Sequence, residues 1–273
     1  MVRRLAEVQG WLHRLYVAEP GARLRAEDLR KAVEVAALLE EVERALGRAS
    51  RKRPFTLVDA AAGKAYAGLL AAKLVLGRDG RDARVLAIER EPGRVALSRA
   101  AAALLDSPVP VECVQADVAD RGCWPQAPSL VVALHACGGA SDAVIAGAVA
   151  SGARALLLVP CCTGGGVAAA GLADALAETL GVPRHAAVRR RFIQSVVDAE
   201  RTWRLEAAGY ETEVVEMVAP TVTPHNLLWR ARRVGEPGRM ARARAALERL
   251  AEAAGAAAAP APRLGDEPPW ERR

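Results

Sequence analysis

Four residues able to carry chemistry fall at the ends of two apolar runs. His135 and Cys137 follow Leu130–Leu134, and the adjacent pair Cys161 and Cys162 follows Ala155–Val159 and Pro160. An imidazole exchanges a proton near neutral pH, so His135 is a candidate general base. The alternative is a histidine hydrogen-bonded to backbone that only shapes a pocket. The cysteines allow two sharper readings. Two strand-end thiols could attack a pyrimidine ring as a nucleophile pair, given a neighbour such as His135 to depress a thiol pKa. The four side chains could instead bind zinc, whose tetrahedral sites take N and S ligands, although adjacent cysteines chelate poorly beside C-x-x-C. The plainest reading is small buried cysteines under a pocket floor, and no metal is expected.

A second constellation lies earlier. Phe55–Ala60 reads as a strand, Ala61-Ala62-Gly63-Lys64-Ala65 as a small-residue turn and Tyr66 as the start of a helix. Small residues let backbone approach a ligand, and a helix N-terminus offers N–H groups to a negative group. Glu89 ends the next β run, 26 residues after Gly63, where an acid can accept hydrogen bonds from both hydroxyls of a ribose. Asp117 closes the third run in the same way and could face an adenine amino group. Three nucleotide readings compete. A phosphate-cradling Walker loop needs Gly and Ser or Thr where Val58 and Ala65 stand, and is rejected. A nicotinamide fingerprint needs a third Gly where Tyr66 stands. The acidic-x-Gly-x-Gly-x-Gly turn that binds S-adenosylmethionine is approximated by Asp59-x-Ala61-x-Gly63-x-Ala65, with two glycines replaced by alanine. An ordinary strand–helix turn punctuated by Gly63 remains the bland alternative.

The elements around these residues alternate. Residues 1–50 read as an N-terminal helical extension, with Leu29, Val33, Ala36, Ala37 and Glu40–Val42 at helical spacing and charges on the other side. From Phe55, β runs (Phe55–Ala60, Arg84–Glu89, Val111–Ala116, Leu130–Leu134, Ala155–Val159) alternate with helices (Lys64–Leu76, Pro92–Leu105, Ser141–Ala150, Val167–Leu180). The β runs are continuously apolar, as in strands buried on both faces of a parallel sheet. This order implies a doubly wound α/β fold. A helix near Ile193–Ala208 ends at Gly209, and strands Tyr210–Val218 and Asn226–Arg233 read as a terminal antiparallel hairpin. Residues 235–273 read as an Arg/Ala helix followed by an Ala/Pro tail, expected to be disordered from about Ala253.

Composition narrows the class. The 273 residues carry a net charge of +6, with basic residues mostly Arg. That favours a polyanionic partner, with codon bias as the alternative. Five cysteines and no secretory signal make a disulfide framework unexpected and a cytoplasmic location the default. No apolar run is long enough to span a membrane, so no membrane association is expected.

Three segments taken together resemble a known family. Asp59-x-x-x-Gly63-Lys64-x-Tyr66, then His135-x-Cys137-Gly138-x-x-Ser141-Asp142, then Pro160-Cys161-Cys162, are similar to motifs of the class I methyltransferase domain family 32. Its motifs are also similar to those of eukaryotic tRNA 2'-O-methyltransferases. Leu205-Glu206-x-x-Gly209-Tyr210, Glu216–Val218 and Thr223–Leu228 look like the C-terminal part of bacterial members, so the resemblance covers residues 50–234. It implies a seven-stranded Rossmann-like sheet, S-adenosyl-L-methionine as cofactor, and a methyltransferase domain over 51–234. Asp59, Ala61, Gly63 and Lys64 would line the cofactor, with Glu89 on the ribose and Asp117 near the adenine. His135, Asp142 and Cys161 would stand where the methyl group is transferred. The departures are Ala61 and Ala65 for Gly and Ser141 for Thr.

The resemblance and the charge together point to RNA, tRNA included, as acceptor. Arg51–Arg53 and Arg189–Arg191 could hold phosphates, or be solvated loop charge. Arg201 and Arg204, with Asp198 and Glu200, read as an exposed helix face, and Trp203 and Tyr210 as core residues that could instead stack a base. His135-Ala136-Cys137-Gly138 does not match amine-methylating enzymes, and no lysine follows Lys73, so any ribose methylation must use another base. Two other functions stay open: a catalytically inert module that binds RNA or a partner, motivated by the alanines, and a small-molecule methyltransferase.

Overall fold

The computed structural model describes residues 2–17, 23–160 and 166–258. Two helices open the chain, α1 (Val2–Tyr16) and α2 (Ala26–Arg48). Asp28 accepts the Arg25 N–H at 3.1 Å and, with Glu27, places negative charge at the start of α2, where it complements the helix dipole.

Strand β1 (Phe55–Ala60) leads into α3 (Tyr66–Ala71), which continues through a π-helical turn, Ala72–Leu76, into the short α4 (Gly77–Asp79). Then follow β2 (Ala83–Glu89), α5 (Pro92–Leu104), β3 (Val111–Gln115), β4 (Leu130–Ala136), α6 (Gly139–Ser151) and β5 (Ala155–Pro160). The last third contributes α7 (Ala170–Thr179), α8 (Ala186–Ala207), β6 (Tyr210–Glu216), β7 (Leu227–Arg233) and α9 (Pro237–Ala258).

The seven strands form one sheet in the order β3-β2-β1-β4-β5-β7-β6. The first five are parallel, whereas β7 runs antiparallel to both β5 and β6. This is the doubly wound sheet the sequence predicts, with its terminal hairpin inserted so that β7 is the inner strand. Connections run outward one way from β1 to β3 and the other way from β4 to β5, so a crevice opens at the carboxyl ends of β1 and β4.

Successive strand residues serve opposite faces. Leu57, Val85, Val132 and Leu157 pack with helices α1 to α3, while Val58, Ile88, Val131 and Leu158 pack beneath α6 and α8. Continuous apolar runs are what such two-sided burial requires. Helix α2 belongs to the first layer: Val35, Leu38 and Leu39 are fully buried, each contributing about 1.5–3 kcal/mol of burial. The change of composition near residue 50 is therefore no break in packing. The buried face of α2 also includes Glu41, within the Glu40–Val42 stretch read at helical spacing, and Glu34, which that spacing left out. Each is tolerated because it meets a cation, Glu41 accepting from Nε and Nη2 of Arg230 at 2.9 and 2.8 Å.

A second correction concerns α8. Arg201, expected on an exposed face, is fully buried, and Arg204 is partly so. Both reach across to α6, where a buried carboxylate awaits them. Tyr210 is core, its hydroxyl donating to the Ala153 carbonyl at 2.7 Å. The Arg/Ala helix appears as α9 and packs on α7 and α8, whereas most of the Ala/Pro tail lies outside the described residues. Among the described residues no helix is long and apolar enough to cross a membrane.

Candidate functional site

The turn after β1 has an unusual backbone. Ala61, Gly63 and Ala65 all adopt the left-handed region, with φ of 53°, 59° and 56°. These are the three positions that glycine occupies in the turn the sequence approximates. Glycine enters this region freely, whereas each alanine there costs about 1–2 kcal/mol. The chain therefore keeps the glycine backbone with two alanines, and the strain is held by surrounding bonds. Ala62 N–H donates to the Ile88 carbonyl and Ala65 N–H to the Ala62 carbonyl. Gly63 N–H donates to Glu89 Oε2 at 2.8 Å, and Ser98 of α5 reaches the Gly63 carbonyl.

Asp59 lies beneath the turn, 1% exposed, and accepts the Gly68 N–H of α3 at 2.7 Å. A Cβ on Gly68 would stand 2.9 Å from that carboxylate, so only glycine permits the contact. Burial pushes the Asp59 pKa up to about 7, against the Gly68 bond and with a small contribution from Glu89. The carboxylate thus fastens β1 to α3 and shapes the turn from below.

Glu89 is placed differently. Its Oε2 takes the Gly63 N–H, and its Oε1 takes the Glu91 N–H at 2.9 Å. A carboxylate has about four acceptor positions, so one on each oxygen remains. Those two suit a vicinal diol. The side of Gly63 where a Cβ would stand is open for 4 Å. Asp117 is exposed at the end of the third strand, its Oδ1 accepting the Ala119 N–H and its Oδ2 lying 3.7 Å from Arg90. The spare acceptor positions of Glu89 and the open side of Gly63 therefore fit the ribose of an adenosyl group. Lys64 is held from behind: its carbonyl accepts the Tyr16 hydroxyl at 2.5 Å, and its ammonium lies 5.9 Å from the Tyr16 ring. Tyr16 meets Tyr66 edge to face, so α1 braces the outer side of the turn.

On the neighbouring strand, β4 continues past Leu134 to Ala136, and its register against β5 shifts at His135. His135 is the bulged residue, with φ of 62°. Bulges re-aim side chains, and one beside a ligand crevice is a common place to find them. Asp59 pairs with Val132, so His135 lies three residues farther along, about 10 Å, level with the turn on the adjacent strand. Its Nε2 stands 2.9 Å from Glu34 Oε1 of α2, close enough for an ion pair but off the line of a well-formed hydrogen bond. Lys31 lies 3.0 Å from the other Glu34 oxygen. Burial pushes the Glu34 carboxyl up, and His135 and Lys31 more than reverse this, holding it below the usual range.

Asp142 is a different case. Its Oδ1 takes Arg201 Nε at 3.0 Å and Arg204 at 2.8 Å, and its Oδ2 takes the Ala168 N–H at 3.1 Å. Burial raises its pKa, but Arg201, the Ala168 bond and Arg204 together hold it below the ordinary value. The expectation of a catalytic Asp142 meets a carboxylate already committed to fixed partners.

Among the cysteines, Cys113 is a buried free thiol whose pKa burial pushes up, and Cys123 is also free. Cys161 and Cys162 lie outside the described residues.

The structure thus brings together the turn, Glu89 and His135. It sets Asp59 beneath them and Asp142 apart from them in the α6–α8 contact. It adds Glu34, which the sequence reading missed. The available signal was Glu34, Leu38 and Glu41 at i, i+4 and i+7, which puts two acids on an apolar helix face.

Residues 30–165, from within α2 past the end of β5, match the model of a family described as a methyltransferase domain. Among solved structures, magnesium protoporphyrin IX methyltransferase from Synechocystis PCC 6803 is similar at 14% identity. There 82% of this chain covers 94% of that one at a TM-score of 0.49. A putative caffeoyl-CoA O-methyltransferase from Staphylococcus aureus is similar at 12% identity, 86% of this chain covering all of that one at 0.46. The tRNA (uracil-54, C5)-methyltransferase of Pyrococcus abyssi is similar at 12% identity, 74% of this chain covering 38% of that one at 0.40. No curated protein matches the chain. With the family match laid over a glycine-type turn, a ribose-ready acid and a bulged histidine on adjoining strands, the chain belongs to this methyltransferase domain family and is an S-adenosylmethionine-dependent methyltransferase.

Proposed function

We propose that the chain methylates RNA in the cytoplasm, with His135 as the general base and Glu34 as the residue that positions it. The observation that carries the site is the Gly63–Glu89 bond, which turns the Glu89 carboxylate into the crevice with two acceptor positions to spare. S-adenosylmethionine, when bound, supplies a methyl group on a sulfonium centre. Glu89 would hold its ribose, Asp117 its adenine amino group, and the backbone of residues 61–65, with Lys64, its amino-acid end.

His135 is presented across the crevice at the same height. With the proton of a neutral imidazole on Nε2, facing Glu34, the basic nitrogen is Nδ1. An acceptor hydroxyl or amine set against it would lose its proton to Nδ1 as its lone pair takes the methyl group. Glu34 would then stabilise the imidazolium. Asp142 is read as a positioning residue that ties α6 to α8. Cys161, which the resemblance sets among the catalytic residues, lies outside the described residues. RNA is favoured as acceptor by the family resemblance and by where the chain's arginines are left exposed.

Tritiated methyl transfer onto cellular RNA, protein extract and small-molecule fractions tests the acceptor, and label in the RNA fraction alone is expected. Calorimetry tests the pocket: Glu89→Ala should weaken S-adenosylmethionine binding at least tenfold. No S-adenosylmethionine binding by the wild type, with Glu89→Ala changing nothing, would return the chain to the reading of an inert module.

A further inference from the structure

A groove of about 1220 Å³ lies at the opposite ends of the strands from the cofactor turn. Its walls are the C-terminal half of α2, the starts of β1 and β5, and the β6–β7 hairpin. Eight arginines and three glutamates line it, against a net charge of +6 for the whole chain. The glutamates are spoken for: Glu41 and Glu213 by Arg230, and Glu211 by Arg232. Arg48, Arg53, Arg154 and Arg233 are exposed, and none has a carboxylate within ion-pair distance among the described residues. They come from α2, the approach to β1, the approach to β5 and the end of β7, so the fold converges four segments far apart in sequence on one surface.

We infer that this groove is a docking surface for the phosphate backbone of RNA. Four like charges held together repel one another, and a polyanion relieves that repulsion while releasing its own counterions. Guanidinium groups take phosphate oxygens in pairs, which suits arginine better than lysine for this task. Helix α2 ties the groove to the site. Glu34 touches His135 from the N-terminal half of the helix, and Arg48 ends it 14 residues farther along, about 21 Å at 1.5 Å per residue. An RNA helix lying along α2 would be gripped several base pairs from the atom it offers to His135. The substrate would then be a structured RNA that spans this distance, with contacts in the groove that position it and carry no sequence information.

The inference rests on the RNA reading above, and its test separates the two. Binding of a fluorescein-labelled RNA hairpin is measured by anisotropy over a salt series, for the wild type and for Arg48, Arg53, Arg154 and Arg233 changed together to Ala or to Lys. All three proteins are checked by circular dichroism. The Ala variant should lose at least tenfold in affinity, and its slope of log affinity on log salt should fall by about 3. The Lys variant should keep most of that slope, which shows that a folded protein lost only its charge. In methyl transfer the Ala variant should raise KM with kcat unchanged. Equal affinity and slope in wild type and Ala variant would overturn the inference, as would competition by a polyglutamate peptide as effective as by RNA. RNA bound in the groove but never labelled would sink the acceptor and spare the groove. RNA labelled with the same KM by the Ala variant would spare the acceptor and sink the groove.

Discussion

His135 and Asp142 flank one short turn at the end of β4, and the fold uses them in opposite ways. Asp142 is surrounded: two guanidinium groups and a backbone N–H occupy its oxygens. Among the described residues His135 meets Glu34 through Nε2, and it stands on a bulge with a left-handed backbone. A buried carboxylate with all its partners in place holds elements together, because freeing it would strand buried cations. An imidazole steadied at one nitrogen keeps the other for proton transfer. Two residues of one motif thus differ in their number of fixed partners, which is why Asp142 is read as a clamp and His135 is proposed as the base.

Substitutions at these two positions should therefore fail in different ways. The largest effect is expected at His135. His135→Gln should lower kcat by about 10²–10⁴-fold with little change in melting temperature. Glu34→Gln, in the same assay, should lower kcat less, since the imidazole loses the carboxylate 2.9 Å from its Nε2. A full-rate His135→Gln enzyme would erase the contrast.

Next comes Asp142→Asn, expected to cost about 3–5 kcal/mol in chemical denaturation, with kcat of the folded protein nearly unchanged. The pH dependence carries the sign. Asp142 has a depressed pKa, so its stabilisation is present above the ordinary carboxylate range and is lost as pH falls through its folded value. The variant's stability should accordingly fall less steeply on acidification than the wild type's. A collapse of kcat in a stable Asp142→Asn protein would restore this residue to the catalytic set.

The smallest effect is expected in the turn after β1. Ala61→Gly and Ala65→Gly remove a left-handed alanine each and should stabilise the fold by up to about 1 kcal/mol, the gain from relieved strain being partly offset by a more flexible unfolded chain. Melting curves would read this directly. Destabilisation by either change would mean that the methyl groups pack more favourably than the backbone is strained.

How far the sequence was legible follows from the range of the forces involved. β1 appears over the predicted residues, and the helix after it starts two residues late because Ala61–Ala65 are spent on left-handed turns that apolar patterning does not register. β4 runs two residues longer than predicted, since a bulge lets a polar histidine stay in the ladder without facing the core. Glu89 was legible from its place at a strand end, and its bond to Gly63 follows from the parallel register that sets the two side by side.

By itself the sequence determined the alternation of strands and helices, the two-faced burial of the sheet and the acids and small residues at the strand ends. These depend on side-chain periodicity and turn chemistry, which act over a few residues. Only the tertiary structure decided that Glu34 steadies His135, that Arg201 is buried on Asp142, 59 residues away, and that four scattered arginines share a groove. A charge is stable inside a protein only beside its counter-charge, and that partner is known once distant segments have been brought together.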